Sequence, residues 1–320
     1  MDLEDLRALM SVIKAKLMNR PIALCDIGDA DGLTSAALFL MKYPNGLIVF
    51  APPSKVQKGW LYRVIEWDFV ADLPCPGKAV ARADHHRTNK PCAQFEYYDP
   101  EAPCSAYMAA KGLNLNDSKA QDLVKVAIET DTANIASKEA EEIDMAARFS
   151  NYSEKVKLAK ALAREGLMAL NEPWVKDIVE RGYRAKELML KIADQIPIDN
   201  VVNVYFSRRV GSLSYRQLTI ELQKRGASMV NILVKLNSRT FRYYCGADKS
   251  KFDCTRVASA LGGGGHPYAA GAQYKAPLLK PSQGLEVFVR VLKDKLNMDK
   301  LSLIEVLNDA SGVGIRRLQL

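Results

Sequence analysis

Between residues 21 and 131, short apolar runs alternate with longer amphipathic ones, and this alternation leaves the chain few folds to choose from. PIALCD, GLIVFA, DFVADL and KAVARAD have the length and composition of buried strands, while TSAALFLMK and KAQDLVKVAIET carry apolar residues at helical spacing. The pattern predicts an α/β fold, a parallel sheet with helices on both faces. In such sheets functional groups collect just past the carboxyl ends of the strands. The residues that follow each run are therefore where chemistry is to be sought.

At 320 residues the chain is long enough for two domains, each with its own core. Residues 1–150 hold the first. Residues 151–197 read as a helical connector, rich in Ala, Lys, Glu and Leu and bent at Asn171-Glu172-Pro173. Strand-like alternation returns in VVNVYF, SMVNILVKL and TFRYYCG, with a helical stretch near residues 218–224, so a smaller α/β domain occupies 198–320. The tail from about Met298 reads as a short helix followed by a basic strand or coil.

Charge divides with the domains: residues 181–320 hold 23 Lys and Arg against 11 Asp and Glu, leaving 22 against 26 in residues 1–180. A basic half beside an acidic half suits a polyanionic partner held by one domain and metal ions held by the other. The six cysteines form no C-x-x-C pair, which argues against a structural zinc site. Most of them read as small core residues, with disulfides left open for a hyperthermophilic source. The N-terminal segment reads as an amphipathic helix rather than a signal peptide, and no run approaches the ~18 apolar residues that span a bilayer. A cytoplasmic protein with no membrane partner is expected.

Four constellations carry chemistry. Asp29-Ala30-Asp31-Gly32 follows the first strand-like run and precedes a helix, where paired carboxylates bind hard divalent cations or simply cap the helix. Asp84-His85-His86 follows the fourth run and offers mixed oxygen and nitrogen ligands. Asp72 and Asp131 end apolar segments and gain weight only because both would reach the same sheet edge. Gly262-Gly263-Gly264-Gly265-His266-Pro267 lets backbone N–H groups approach an anion that His266 can also meet. The chain has three histidines, and all of them fall in these motifs.

Taken in order, DADG, Asp72, DHH, Asp131 in ETDT and GGGGHPYAAGA resemble the successive motifs of the DHH phosphoesterase family carrying a DHHA1 domain, over roughly residues 20–275. The length is most similar to the compact nanoRNase-like branch; RecJ-type exonucleases are also relatives. The resemblance implies two Mn²⁺ ions, with Mg²⁺ or Co²⁺ as substitutes, held by Asp29, Asp31, Asp72, His85 and Asp131. It implies Asp84 and His86 as catalytic residues, Asp84 orienting an imidazole and His86 facing the phosphate. Arg242, Gly263, Gly264, Gly265 and His266 would hold the substrate, with Tyr243, Tyr244 or Tyr268 stacking on a base. The family carries a histidine ahead of the first aspartate pair; here Cys25 or Ile27 stands there, leaving Cys25 as a thiolate, or Asp26, to substitute.

The activity implied is hydrolysis of short single-stranded RNA or DNA by metal-activated water. The alternatives are an adenosine 3′,5′-bisphosphate phosphatase, a cyclic dinucleotide phosphodiesterase, or a catalytically impaired relative that binds nucleic acid. An inorganic pyrophosphatase is disfavoured by GGGGHPYAAG, and a homodimer is left open.

Overall fold

A computed structural model gives the structure of the chain and describes residues 3–278, 280, 283–309 and 312–319. The chain folds as two compact units, Met1–Tyr183 and Arg184–Leu320. The first opens with α1 (Leu3–Leu17), β1 (Ile22–Asp26), α2 (Ala30–Lys42) and β2 (Leu47–Ala51). It continues through α3 (Pro53–Lys58), α4 (Trp60–Val64), β3 (Glu66–Ala71), β4 (Lys78–Asp84) and β5 (Ala93–Tyr98). Helices α5 (Ser105–Leu113), α6 (Ser118–Asp131), α7 (Lys138–Phe149) and α8 (Tyr152–Glu165) follow, then a short 3₁₀ turn and α9 (Pro173–Gln195). The segment set apart as a connector divides between the units, since Leu158 and Val175 pack in the first core and Ile192 in a second.

The four expected strands form, and β1 to β5 make an all-parallel sheet in the order β2-β1-β3-β4-β5. Both faces are covered. Ala23, Cys25, Phe69 and Ala71 meet α2, α5, α6, α7 and α8 on one side, while Leu24, Val49 and Val70 meet α1, α3 and α4 on the other. Chain direction across the sheet reverses between β1 and β3, so the segments leaving these strands diverge and open a crevice. Register then sets the height of the functional groups. Cys25 pairs with Ala71 and Ala71 with Ala83, which places Asp26, Asp72 and Asp84 each one residue past a common row.

Strand β5 lies outside the sequence reading. AQFEYY alternates only weakly because it is an edge strand with one flank in solvent. Cys25, Cys104, Cys245 and Cys254 are buried, as expected for most of the cysteines, and the disulfides left open by the sequence form between Cys75 and Cys92 and between Cys245 and Cys254.

The second unit contains β6 (Val201–Phe206), α10 (Tyr215–Lys224), β7 (Met229–Lys235), β8 (Thr240–Ala247) and α11 (Cys254–Ala260). It ends with β9 (Gly264–His266), β10 (Ala269–Lys275), α12 (Gln283–Leu296), β11 (Ser302–Asp309) and β12 (Gly312–Gln319). These strands form a mixed sheet ordered β12-β11-β6-β7-β8-β10-β9. The tail is thus a correction: where a short helix was expected, β11 runs parallel to β6 and turns back into β12. SLIEVLND buries Leu303, Ile304 and Val306 together, a packing that its apolar spacing alone does not distinguish from a helical turn. Among the described residues no helix is long and apolar enough to cross a membrane.

Gly32 holds the junction of β1 and α2 together. A Cβ there would sit 2.3 Å from the Asp26 carbonyl oxygen, so α2 crosses the strand end at a distance only glycine allows. Gly32→Ala is expected to cost about 3 kcal/mol by overpacking against backbone, read as a lowered urea midpoint with unchanged m-value. A loss below about 0.5 kcal/mol would mean the helix can shift freely.

Candidate metal centre

The loop after β1 brings three carboxylates into the crevice. Asp29 caps α2, its side chain accepting from the Gly32 N–H at 3.1 Å. Asp31 reaches across to the start of α5, where its two oxygens accept from the Ser105 and Ala106 N–H groups, both at 2.7 Å. Both residues of the DADG motif therefore cap helices as well as face the crevice. Asp26, at the end of β1, is buried with Oδ1 lacking a hydrogen-bond partner.

Asp72 enters from the end of β3 on a backbone with φ of +58°, a left-handed conformation uncommon outside glycine. That twist is anchored by its N–H donating to Ala83 and by the Ser105 hydroxyl donating to its Oδ1 at 3.0 Å. The segment after β4 delivers the imidazoles. His85 Nδ1 lies 3.2 Å from the Ala102 carbonyl, which assigns the proton to Nδ1 and leaves Nε2 as a base. That Nε2 is buried, without a hydrogen-bond partner, and 3.5 Å from Asp131 at the end of α6. A carboxylate at a helix C-terminus stands against the helix dipole, so Asp131 is placed where a cation would relieve it.

These groups interlock. Ligand atoms of Asp26, Asp29 and Asp72 lie within 4.8 Å of one another, as do those of Asp31, His85 and Asp131, and those of Asp72, His85 and His86. The donor set fits a hard or borderline divalent cation: carboxylate oxygens, one deprotonated imidazole nitrogen, and two buried donor atoms, Asp26 Oδ1 and His85 Nε2, that the protein leaves without partners. Cys25 belongs to none of these groups among the described residues. Its thiol is pushed well up by burial and by the charges of Asp72, Asp26 and Asp31, which disfavours a thiolate ligand. Asp26 stands in the crevice instead.

Burial and mutual repulsion raise the carboxyl groups together. Asp31 is pushed up to about 8 by burial, then by Asp29 and Asp131, against the N–H groups of Ala106 and Ser105. Asp26 is pushed up to about 7 by burial and Asp29. Asp72 rises by burial, then through Asp31, Asp29 and Asp26. Asp131 rises because burial outweighs the attraction of His85. Lys155 of α8 donates to the Ile27 carbonyl, and its ammonium is lowered to about 8 by burial against the pull of Asp29 and Asp26.

A second network lies behind the crevice. Fully buried Arg82 donates to Asp84 at 2.8 Å, to Glu96 at 3.1 Å and to the Leu73 carbonyl at 3.3 Å. Asp84 in turn accepts from Asn89 at 2.8 Å and lies 3.0 Å from His86 Nδ1. Burial alone would raise Asp84, but the hydrogen bonds of His86 and Asn89 and the Arg82 charge outweigh it and lower it. The Asp84 hydrogen bond raises His86, whose side chain is half exposed. Asp84 thus holds the His86 imidazole, while His85 is held by the Ala102 carbonyl, and Asp84 takes no place in the three ligand groups.

In the second unit, Arg242 is exposed and held by Gln273 through bonds of 3.1 and 2.6 Å. His266 lies in the edge strand β9, and pairing through β10 places it on the same sheet face as Arg242, about 13 Å along the strand at ordinary rise. Gly263 and Gly265 are packed against β10, where a Cβ would meet Gly271 O at 2.1 Å and Ala269 O at 2.6 Å, while Gly264 faces open space. Much of the glycine run therefore serves the pairing of β9 with β10. Tyr268 is exposed and stacks on His266 with ring centroids 5.4 Å apart. Tyr243 is corrected, being buried with its hydroxyl donating to Asn231, while the half-buried Tyr244 stacks on Tyr215.

Sequence reasoning missed Arg82, Asn89, Ser105 and Lys155. A charged residue inside the apolar run KAVARAD was a readable sign for Arg82. The other three carry no local signal.

The sequence matches no protein-family model and no curated protein. Solved structures do share the architecture. The pGpG-specific phosphodiesterase PggH from Vibrio cholerae superposes with a TM-score of 0.59 at 16% identity, covering 86% of this chain and 100% of that one. An exonuclease RecJ bound to manganese gives 0.57 at 13% identity, covering 93% and 97%. The DHH domain of a protein described as belonging to a family of ribosomal proteins gives 0.55 at 13% identity, covering 92% and 90%. The chain has the DHH fold. At these identities the DHH likeness establishes architecture, and the chemistry rests on the side chains described above.

The raised carboxyl groups make stability depend on pH in a defined direction. Unfolding takes Asp31 from about 8 to the ordinary value near 3.8 and so releases a proton between those limits. The metal-free protein is expected to lose stability as pH rises from about 4 to about 8, by an amount on the order of a few kcal/mol. Manganese or magnesium should restore it, most strongly at the alkaline end, with protons released on binding. Melting curves across pH with and without metal check this; a metal-free melting temperature that climbs with pH over that window would contradict it.

Proposed function

We propose that the chain is a divalent-metal-dependent phosphoesterase that hydrolyses short oligonucleotides by attack of water on phosphorus. The observation that carries this reading is the convergence of Asp26, Asp29, Asp31, Asp72, Asp131 and His85 past the strand ends of one parallel sheet. No stability argument accounts for such a cluster, because each added carboxylate raises the cost of the others.

Asp29, Asp31, Asp72, Asp131 and His85 would hold the metal, taken to be a pair of Mn²⁺ ions, with Asp26 filling the place left by the family histidine. Bound ions supply a water of lowered pKa and neutralise charge on the phosphoryl oxygens. The protein's own part is positional. Asp84 keeps the His86 ring fixed and its proton in place, so that an N–H can meet a phosphate oxygen. In hydrolysis the ester P–O bond breaks, the water oxygen stays on phosphorus, and the leaving alkoxide takes a proton. His266, Arg242 and Tyr268 of the basic second unit would supply a hydrogen-bond donor, a cation and a stacking face for a nucleotide.

A manganese-dependent assay on matched RNA and DNA, from dinucleotide to about 24 nucleotides, tests the reading. Cleavage that falls steeply with length is expected. Asp72→Asn should reduce the rate roughly a thousandfold while leaving the circular dichroism spectrum unchanged. Release of terminal phosphate alone would move the assignment to a nucleotide phosphatase, and cleavage confined to cyclic dinucleotides would move it to that class. Undiminished activity of Asp72→Asn would remove it. Metal and RNA binding with no turnover would mark a catalytically impaired relative.

A further inference from the structure

Helix α8 buries Lys155, Leu158, Ala159 and Leu162, a stripe at helical spacing whose first member is a lysine where an apolar residue would serve. The Lys155 residue is 3% exposed. Lysine is almost never buried this far without an acidic partner, yet among the described residues no carboxylate lies within 4.0 Å of its ammonium. The ammonium donates instead to the Ile27 carbonyl, a neutral group, and lies 6.0 Å from the centroid of the Phe50 ring. A methionine would fill the stripe without the cost of burying a charge.

Ile27 belongs to the turn between Asp26 and Asp29, so the buried charge stands at one end of the ligand array. Asp29 and Asp26 are the carboxylates that act on Lys155, and Lys155 in turn helps to hold Asp26 down. It satisfies neither by an ion pair, and Asp26 Oδ1 is left without a partner. Arg148 of α7 also faces Lys155, but its charge is engaged by Asp144 at 2.7 Å. At the other end of the array, the charges that act on Asp31 and Asp131 come from carboxylates and the two imidazoles, with no fixed cation among them. The ligand group of Asp26, Asp29 and Asp72 therefore has a positive charge built in behind it, and the group of Asp31, His85 and Asp131 has none.

We propose that Lys155 makes the two ends of the crevice unequal: an ion binds more weakly between Asp26, Asp29 and Asp72, and the position beside Asp31, His85 and Asp131 fills first. The inference rests on the divalent-metal reading above. Repulsion between the ammonium and a divalent ion falls with distance, so the near position bears more of it than the far one. The centre then gains its second ion only as the metal concentration rises.

Two measurements on the full chain, with Mn²⁺ alone as the probe, test this. Calorimetric titration at pH 7 is expected to resolve two binding steps at least about tenfold apart. Lys155→Met and Lys155→Gln, which remove the charge, should tighten the weaker step and narrow the gap, while Lys155→Arg should preserve it. If Lys155 served only to moor the turn at Ile27, both charge-free variants would bind manganese more weakly, the opposite sign. Anomalous diffraction from wild-type crystals soaked at limiting Mn²⁺ gives the order of filling without any variant, with signal expected first beside Asp31, His85 and Asp131. Two equal steps, weaker binding in the charge-free variants, or first signal between Asp26, Asp29 and Asp72 would overturn the proposal and leave the metal reading standing. Absence of any bound manganese would remove both.

Discussion

Carboxylates crowded into a space that water barely reaches cannot all carry charge unless a cation joins them. That constraint organises the first unit. Burial raises the proton affinity of Asp26, Asp31 and Asp72, and the charges of neighbouring carboxylates, Asp29 among them, raise it further. The protein answers in part with its own groups: the opening N–H groups of α5 meet Asp31, the Ser105 hydroxyl meets Asp72, and Lys155 faces Asp29 and Asp26. The compensation is incomplete, since Asp26 Oδ1 and His85 Nε2 are left buried without partners. A binding site for divalent ions has this electrostatic form before any ion arrives.

The sheet makes the crowding possible, and a layer of buried ionic contacts makes it directional. The row Cys25, Ala71, Ala83 sets three strand ends level, so that one residue further on each strand meets its neighbours. Behind it the chain Glu96, Arg82, Asp84, His86 runs from the sheet edge to the crevice. Glu96 also accepts from the N–H groups of Cys92 and Ala93, and Cys92 is tied to Cys75. The segment that carries both histidines is thereby held at its two ends, which limits how far His86 can wander from the position Asp84 assigns it.

The fold was legible wherever burial on two faces imposed continuous apolar runs. It was not legible where one flank is solvent, as in β5, or where a tail pairs with a distant strand, as β11 does with β6. For the site, residue types with few structural uses stood out: DHH, the DADG pair and the placement of every histidine in a motif. Lys155 and Ser105 did not, because an isolated lysine or serine on a helix has no local mark, and only the tertiary fold brings them to the carboxylates. Arg82 carries a weak mark as a charge within a buried strand. The aromatic residues of β8 mislead for a related reason: alternation tells which tyrosines share a face, but not which face is covered. Most of the cysteines were read as core residues with disulfides left open, and two pairs are bonded, because spacing alone does not show which thiols the fold brings together.

The central claim is that one crevice gathers these ligands for divalent ions. Anomalous diffraction at the manganese edge from crystals soaked in Mn²⁺ addresses it directly, because it locates the ion independently of any turnover. The account requires signal between Asp26, Asp29 and Asp72 and beside Asp31, His85 and Asp131. Signal found only on the protein surface, or none in the crevice at saturating manganese, would contradict it.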